Sequence, residues 1–129
     1  MERLVRFKFE SSRAPDESGR TNASLDGMSI RVEKWNGAGE PNAVELKRRL
    51  QSEGYRVFHW SDAAGTEYGP HAHAEDQSHW ILSGELELSV GHETHTLRAG
   101  DQDFLPANTI HSALVRGHEP VVYLIGAKE

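Results

Sequence analysis

The chain from Tyr55 onward consists of short strand-like runs separated by turns, and this spacing constrains the fold more than any other feature. Each run is rich in apolar or β-branched residues and ends at a polar or glycine-containing turn. Strands that recur at intervals of about 8–12 residues are typical of antiparallel sandwiches and barrels. The predicted strands are Tyr55–Asp62, Gln77–Ser83, Glu85–Val90, Thr94–Leu97, Phe104–Pro106, Ile110–Val115 and Val121–Ile125. The segment around Tyr68, Gly69 and Pro70 is predicted to be a turn.

The first part of the chain contains two predicted strands on either side of a polar segment. Residues 3–10 and 28–35 show the period-two alternation of half-buried strands. Residues 11–27 are polar and turn-rich, which predicts a loop or flexible arm. A tethered strand can cover the sheet edge of a neighbouring chain, so residues 3–10 favour a homodimer. A lid over a binding site is the alternative role for the arm.

One helix is predicted between Asn42 and Gly54. Asn42 is followed three residues later by Glu45, as in a capping box, and Gly54 suits the end of a helix. The apolar side chains between them share one helical face: Ala43, Leu46 and Leu50. The chain has no βαβ alternation and no glycine-rich phosphate-binding motif. The predicted fold class is all-β with one short peripheral helix.

Length and composition exclude several classes of protein. The 129 residues suit a single domain, 1–129, with the barrel core in residues 55–125. No apolar run approaches the roughly 20 residues that span a bilayer, and the N-terminus lacks the apolar core of a signal peptide. The absence of cysteine excludes disulfides and thiolate ligands. We therefore predict a cytoplasmic protein with no membrane partner.

The net charge argues against binding to nucleic acid. It is −6 at pH 7, and the densest basic run, Lys47 to Arg49, lies between Glu45 and Glu53 on the predicted helix. Nucleic-acid-binding proteins usually present a basic surface, and this sequence predicts none. A small-molecule ligand or substrate is the partner that the sequence favours.

Histidine is the residue type whose number and spacing point to chemistry. The chain has eight histidines, and His71 and His73 are two residues apart in Pro70-His71-Ala72-His73. Residues two apart on an extended strand point to the same face, so these two imidazoles are predicted to lie side by side. His111, in a later predicted strand, is a candidate third member. Three imidazoles bind a divalent transition metal and leave positions open for water or substrate.

Two spaced motifs resemble those of the cupin superfamily of small metal-binding β-barrels. The first is Gly65, five residues, His71-Ala72-His73, three residues, Gln77, six residues and Gly84. The second is Gly100, five residues, Pro106-Ala107-Asn108, two residues and His111, followed by Val115. In the family, a glutamate stands in place of Gln77, a glycine in place of Asn108 and an asparagine in place of Val115. The resemblance covers about Tyr55 to Ile125 and implies a jelly-roll β-barrel.

The resemblance implies a metal site formed by His71, His73, Gln77 and His111. Because the Gln77 amide is neutral, such a site keeps the full charge of the ion, which strengthens its Lewis acidity and weakens metal binding. The alternative for Gln77 is a hydrogen bond inside the barrel. The expected ion is Fe, Mn, Ni or Zn.

His79 lies two residues beyond Gln77 and is predicted to face the same interior. It is interpreted as a general base, a further ligand, or a hydrogen-bonded core residue. The resemblance implies a metal-dependent enzyme, such as a dioxygenase, isomerase or lyase, that acts on a small organic molecule. The alternative function is a non-catalytic barrel that binds a metal or ligand as a sensor or store.

Overall fold

A computed structural model describes residues 30–37 and 39–129. The predicted strand 3–10 and arm 11–27 lie outside these residues, so both stay predictions, as does the homodimer that was inferred from them. The described residues form nine strands and one helix, which confirms the all-β class with one helix. The elements are β1 (Arg31–Glu33), α1 (Ala43–Ser52), β2 (Arg56–Asp62), β3 (Glu67–His71), β4 (Asp76–Ser83), β5 (Glu85–Val90), β6 (Glu93–Leu97), β7 (Gln102–Phe104), β8 (His111–Arg116) and β9 (Val121–Lys128).

The strands form two antiparallel sheets. The larger sheet has the order β1-β7-β4-β9-β2, and the smaller has the order β3-β8-β5-β6. Neighbouring strands within each sheet are distant in sequence at several points, as in a jelly roll. One apolar cluster takes residues from both sheets and therefore holds them together: Ile81, Leu86, Leu88, Leu97, Val115, Val121, Tyr123 and Ile125.

The helix covers the outer face of the larger sheet. Side chains alternate along a strand, so Trp80 and Leu124 point away from the face that bears Ile81 and Tyr123. The buried helix residues Leu46 and Leu50 pack on that outer pair. The Asn42 side chain accepts a hydrogen bond from the Glu45 N–H at 3.0 Å, which confirms the predicted N-cap. Within the described part of the chain, no helix has the length and apolar character needed to cross a membrane.

Two predictions of strand position were wrong. The segment predicted as a turn contains strand β3, because Pro70 is tolerated on a strand at the edge of its sheet. The strand predicted over Phe104–Pro106 is instead β7, Gln102–Phe104. Polar residues enter that strand because buried polar partners are available on its face of the sheet, which is the face that bears Trp80. The Gln102 amide, for example, donates a hydrogen bond to the Ser78 hydroxyl at 2.9 Å.

Asp101 fixes the turn that leads into β7. Its carboxylate accepts hydrogen bonds from the backbone N–H groups of Trp35 and Arg98, each at 2.8 Å, and from the Lys34 ammonium at 3.0 Å. Burial alone would raise the pKa of Asp101, but these hydrogen bonds outweigh it and hold that pKa below its ordinary value. The turn also brings Gly100 against the Trp35 ring, where an added Cβ would lie 2.1 Å from the ring.

We predict that Asp101→Asn lowers the free energy of unfolding by about 1–3 kcal/mol at pH 7, because the amide leaves a backbone N–H without an acceptor. Since the folded protein depresses the pKa of Asp101, its ionised form stabilises the fold above the unfolded pKa. That stability is lost as pH falls through the folded pKa. Urea unfolding at pH 7 and at lower pH measures both effects. Glu119→Gln, at an exposed carboxylate, is the control, and equal stability of the two variants would contradict the prediction.

Candidate metal centre

Strand pairing brings two of the predicted histidines together. His71 ends β3 and lies directly opposite His111, the first residue of β8, in the antiparallel register. The ring centroids of these two residues are 4.2 Å apart. Residues in register on neighbouring antiparallel strands point to the same face, which explains the contact. The predicted convergence of His71 and His111 is thus present in the fold.

His73 completes the group from just beyond the end of β3. Its ring centroid is 4.9 Å from that of His71 and 5.1 Å from that of His111. All three side chains are buried, and one nitrogen of each lies within 4.8 Å of the others. His71 and His73 were predicted to share one strand, whereas the strand ends at His71. The two imidazoles still meet because the chain is held beside the loop that leads into β8, where the Asn108 N–H donates to the His73 carbonyl at 2.7 Å.

Backbone carbonyls orient two of the imidazoles. The Nδ1 atom of His71 lies 2.6 Å from the Gly69 carbonyl oxygen, and Nδ1 of His111 lies 2.9 Å from that of Thr109. A carbonyl oxygen only accepts hydrogen bonds, so each Nδ1 must carry the proton. Nε2 of each ring is then the nitrogen that carries the lone pair, as metal-ligating histidines require.

The electrostatics of the cluster favour neutral imidazole. Burial lowers the pKa of His111 well below its ordinary value, and nearby His71 adds to the effect. Metal ions bind the deprotonated form of histidine. A buried cluster of this kind therefore favours binding of a metal ion over protonation of the imidazoles. The three side chains therefore fit a divalent transition metal in donor type. The tautomers of His71 and His111 and the lowered pKa of His111 suit the same role.

Gln77 is buried, with 4% of its surface exposed. Its backbone N–H and carbonyl pair with those of Leu105, at 2.9 and 2.8 Å. Its side-chain oxygen has no hydrogen-bond donor among residues 30–37 and 39–129. A buried acceptor without a donor costs free energy, and a metal ion would satisfy it. The oxygen is thus suited to a ligand role, which stays a prediction.

His79 lines the same cavity as the three histidines but is not part of their close group. Its Nδ1 lies 3.0 Å from Oδ2 of Asp103, and its backbone N–H donates to Oδ1 of Asp103 at 2.7 Å. Asp103 is completely buried. If Nδ1 donates its proton to this carboxylate, Nε2 is left able to accept one. Burial alone would lower the pKa of His79, but Asp103 reverses the effect and raises it.

Sequence reasoning missed Asp103. The signal that could have found it is an acidic residue within a strand-like run. Such a residue is buried only with a hydrogen-bond partner, and a histidine is a common partner. Tyr68 was also missed, because its strand was predicted as a turn. Tyr123, which the sequence left as core or pocket wall, lines the cavity together with Tyr68.

The cavity beside the three histidines is small. Its volume is about 20 Å³, which is the room that one water molecule needs. The walls are mostly apolar or aromatic, and the residues that line them besides the four histidines are Tyr68, Leu86, Leu88, Ala113 and Tyr123. Such walls lower the local dielectric constant and so strengthen electrostatic interactions beside the histidines.

The sequence matches the family model described as Cupin domain over residues 58–125, which is more than half of the chain. The chain belongs to the cupin family. This confirms the resemblance that the two histidine motifs carry, and the matched range contains both of them. None of the curated proteins matches the chain.

Solved structures share the fold. A conserved Klebsiella pneumoniae protein with a double-stranded β-helix domain is 27% identical at a TM-score of 0.50, with 55% of this chain and 64% of that chain covered. A structure of the DMSP lyases RdDddP and RnDddQII is 23% identical in sequence at a TM-score of 0.54. The match covers 60% of this chain and 40% of that chain. KdgF from Halomonas sp. is 18% identical in sequence at a TM-score of 0.52, and the match covers 78% of this chain and 81% of that chain. The chain thus spans less than two thirds of the first two relatives.

We predict that Asp103→Asn lowers the pKa of His79 in the metal-free protein, because the substitution removes the carboxylate that offsets burial of the imidazolium. The pH dependence of the histidine signals in NMR spectra measures this pKa. Glu119→Gln, at an exposed site, is the matched control and should leave His79 unchanged. An unaltered His79 titration in Asp103→Asn would show that the carboxylate does not set its pKa.

Proposed function

We propose that the protein binds one divalent transition metal through His71, His73 and His111 and acts with it on a small organic molecule. The observation that carries this proposal is the convergence of three buried imidazoles, two of which have Nδ1 fixed by backbone carbonyls. Fe, Mn, Ni and Zn all bind imidazole, so each is a candidate. Gln77 is proposed as a weak fourth ligand, since its buried oxygen needs a partner.

A metal held by neutral ligands supplies Lewis acidity with its full positive charge. The protein supplies the remaining chemistry. His79 is proposed to accept a proton from a bound molecule at Nε2, while the Asp103 carboxylate 3.0 Å from Nδ1 stabilises the resulting imidazolium. The apolar walls formed by Leu86 and Leu88 keep water from competing.

The reaction class that we propose is a dioxygenase-, isomerase- or lyase-like conversion. A metal with open positions and a nearby proton acceptor can serve each of these reaction classes, and the three histidines and His79 are the residues that would supply them. The DMSP lyase structure supports only the statement that this fold accommodates lyases. The support for this reaction class is therefore the arrangement of the three histidines and His79. We also propose that the protein acts in the cytoplasm, as its composition predicts.

A second candidate function is a non-catalytic barrel that senses or stores a metal or small ligand. The observation that favours it is the narrow cavity, which has room for about one water molecule beside the histidines. The two candidates differ in turnover: a catalyst converts small organic acids or phenolics only when metal-loaded, whereas a sensor binds without converting them.

We predict about one metal ion per chain in protein purified without an affinity tag or chelator. The double variant His71→Ala/His111→Ala should carry almost none, because it removes two of three imidazoles that neighbouring strands hold together. Element-specific metal analysis gives the count. His79→Gln is the matched control, since His79 lies outside the close group and should leave the count unchanged.

Three results would contradict this proposal. One is a metal-free wild-type protein that also shows no thermal shift with Fe, Mn, Ni or Zn. Another is equal metal content in wild type and the double variant. The third is loss of the metal in His79→Gln, which would make His79 a ligand and leave it unable to act as a base.

A further inference from the structure

Two of the three histidines of the candidate metal centre are contacted by one loop, residues 105–110, which joins β7 to β8. The Asn108 N–H in this loop donates a hydrogen bond to the His73 carbonyl at 2.7 Å. The carbonyl of the next residue, Thr109, accepts a hydrogen bond from Nδ1 of His111 at 2.9 Å. The position of the loop therefore acts on the backbone of His73 and on the imidazole of His111.

Asp76, the first residue of β4, anchors this loop with its side chain. Its carboxylate is half-buried, and Oδ1 accepts a hydrogen bond from the Ala107 N–H at 2.8 Å. The following residue, Gln77, pairs with Leu105 through backbone atoms alone. A backbone pair of that kind does not depend on the side chain, whereas the contact with Ala107 requires an acceptor at position 76. This contact can therefore be removed by substitution.

The loop residues that bind Asp76, His73 and His111 are consecutive, 107 to 109, so a displacement of the first moves the other two. Asn108 has a φ of 66°, in the left-handed region that asparagine tolerates better than most residues, and the chain turns tightly there. Loss of the Asp76 acceptor would leave a partly buried N–H without a partner. Such a loss favours movement of the loop toward water.

Asp76 is not placed to bind a metal ion itself. Among the described residues, the side chains that are close enough to share an ion are His71, His73 and His111, with no carboxylate among them. His71 donates from Nδ1 to the Gly69 carbonyl, which belongs to β3 and not to the loop. It is therefore an internal reference, since movement of the loop should leave its hydrogen bond intact.

We propose that Asp76 is a positioning residue of the metal centre, which holds the 105–110 loop so that His73 and His111 meet the ion together. The inference rests on the proposed metal site and adds a residue that sets its affinity without touching the ion. Residues that hold metal-ligating histidines in place typically weaken metal binding by about 10–100-fold when they are lost.

Cobalt affinity is the first test, with Co²⁺ titrated into metal-free protein and followed by its visible absorption. Asp76→Ala removes the acceptor and should weaken cobalt binding about tenfold. Asp76→Asn loses the charge but keeps an oxygen that accepts from the Ala107 N–H, so its affinity should stay within about threefold of wild type. Glu75→Gln removes a neighbouring charge whose ion-pair partner is the half-exposed Arg56, and it should match wild type.

The Nδ1 protons give the result that a general loss of stability would not produce. In metal-free wild type, the hydrogen-bonded Nδ1–H groups of His71 and His111 should each give a downfield proton signal in NMR spectra. In Asp76→Ala the His111 signal should weaken or vanish because the Thr109 carbonyl moves, while the His71 signal stays. Both signals should remain in Asp76→Asn and Glu75→Gln. The variants His71→Ala and His111→Ala assign the two signals.

The melting temperature is measured for every variant. Wild-type protein that binds no cobalt would overturn the proposed metal site and this inference with it. If wild type binds cobalt, equal affinity in Asp76→Ala would overturn the inference and leave the metal site intact. The same conclusion follows if Asp76→Asn binds as weakly as Asp76→Ala, or if Asp76→Ala keeps the His111 signal or loses both signals. If Asp76→Ala fails to fold, Asp76→Val lacks the acceptor, has a side chain that suits a strand, and takes its place.

Discussion

The antiparallel pairing of β3 with β8 is the constraint on which the rest of the site depends. It places His71 opposite His111, and the short segment that follows β3 adds His73. Because side chains alternate along a strand, a shift of this register by one residue would turn one imidazole out of the barrel. The three-histidine cluster is therefore a consequence of sheet register, and the carbonyls of Gly69 in β3 and of Thr109 just before β8 set the tautomers of His71 and His111.

Buried carboxylates organise the groups around that centre. Asp103 binds His79 on one side of the cavity, and Asp62 binds Tyr68 and Tyr123 on another. Each carboxylate has hydrogen bonds that offset the cost of burying it. In consequence, His79, Tyr68 and Tyr123, which line the cavity, are oriented by two carboxylates that do not line it.

The sequence predicted the parts of the fold that local patterns encode. Turn spacing gave the all-β class, the cap at Asn42 gave the start of the helix, and two spaced motifs identified the family and its three histidines. It failed where tertiary context overrides local signals. Pro70 is a turn residue elsewhere, yet an edge strand accommodates it. Asp62 binds Tyr123, which is 61 residues away, and Asp103 binds His79, which is 24 residues away, and no local pattern reports such pairs.

The most direct test of the account is the X-ray absorption spectrum of the zinc-loaded protein, since it counts the imidazoles at the ion. We expect three imidazole nitrogens at about 2.0–2.1 Å from the zinc, with oxygen completing the shell. The spectrum of His71→Ala/His111→Ala should lose this imidazole scattering. A wild-type shell of oxygens with one imidazole or none would show that the three histidines do not act together, and it would contradict the metal centre itself.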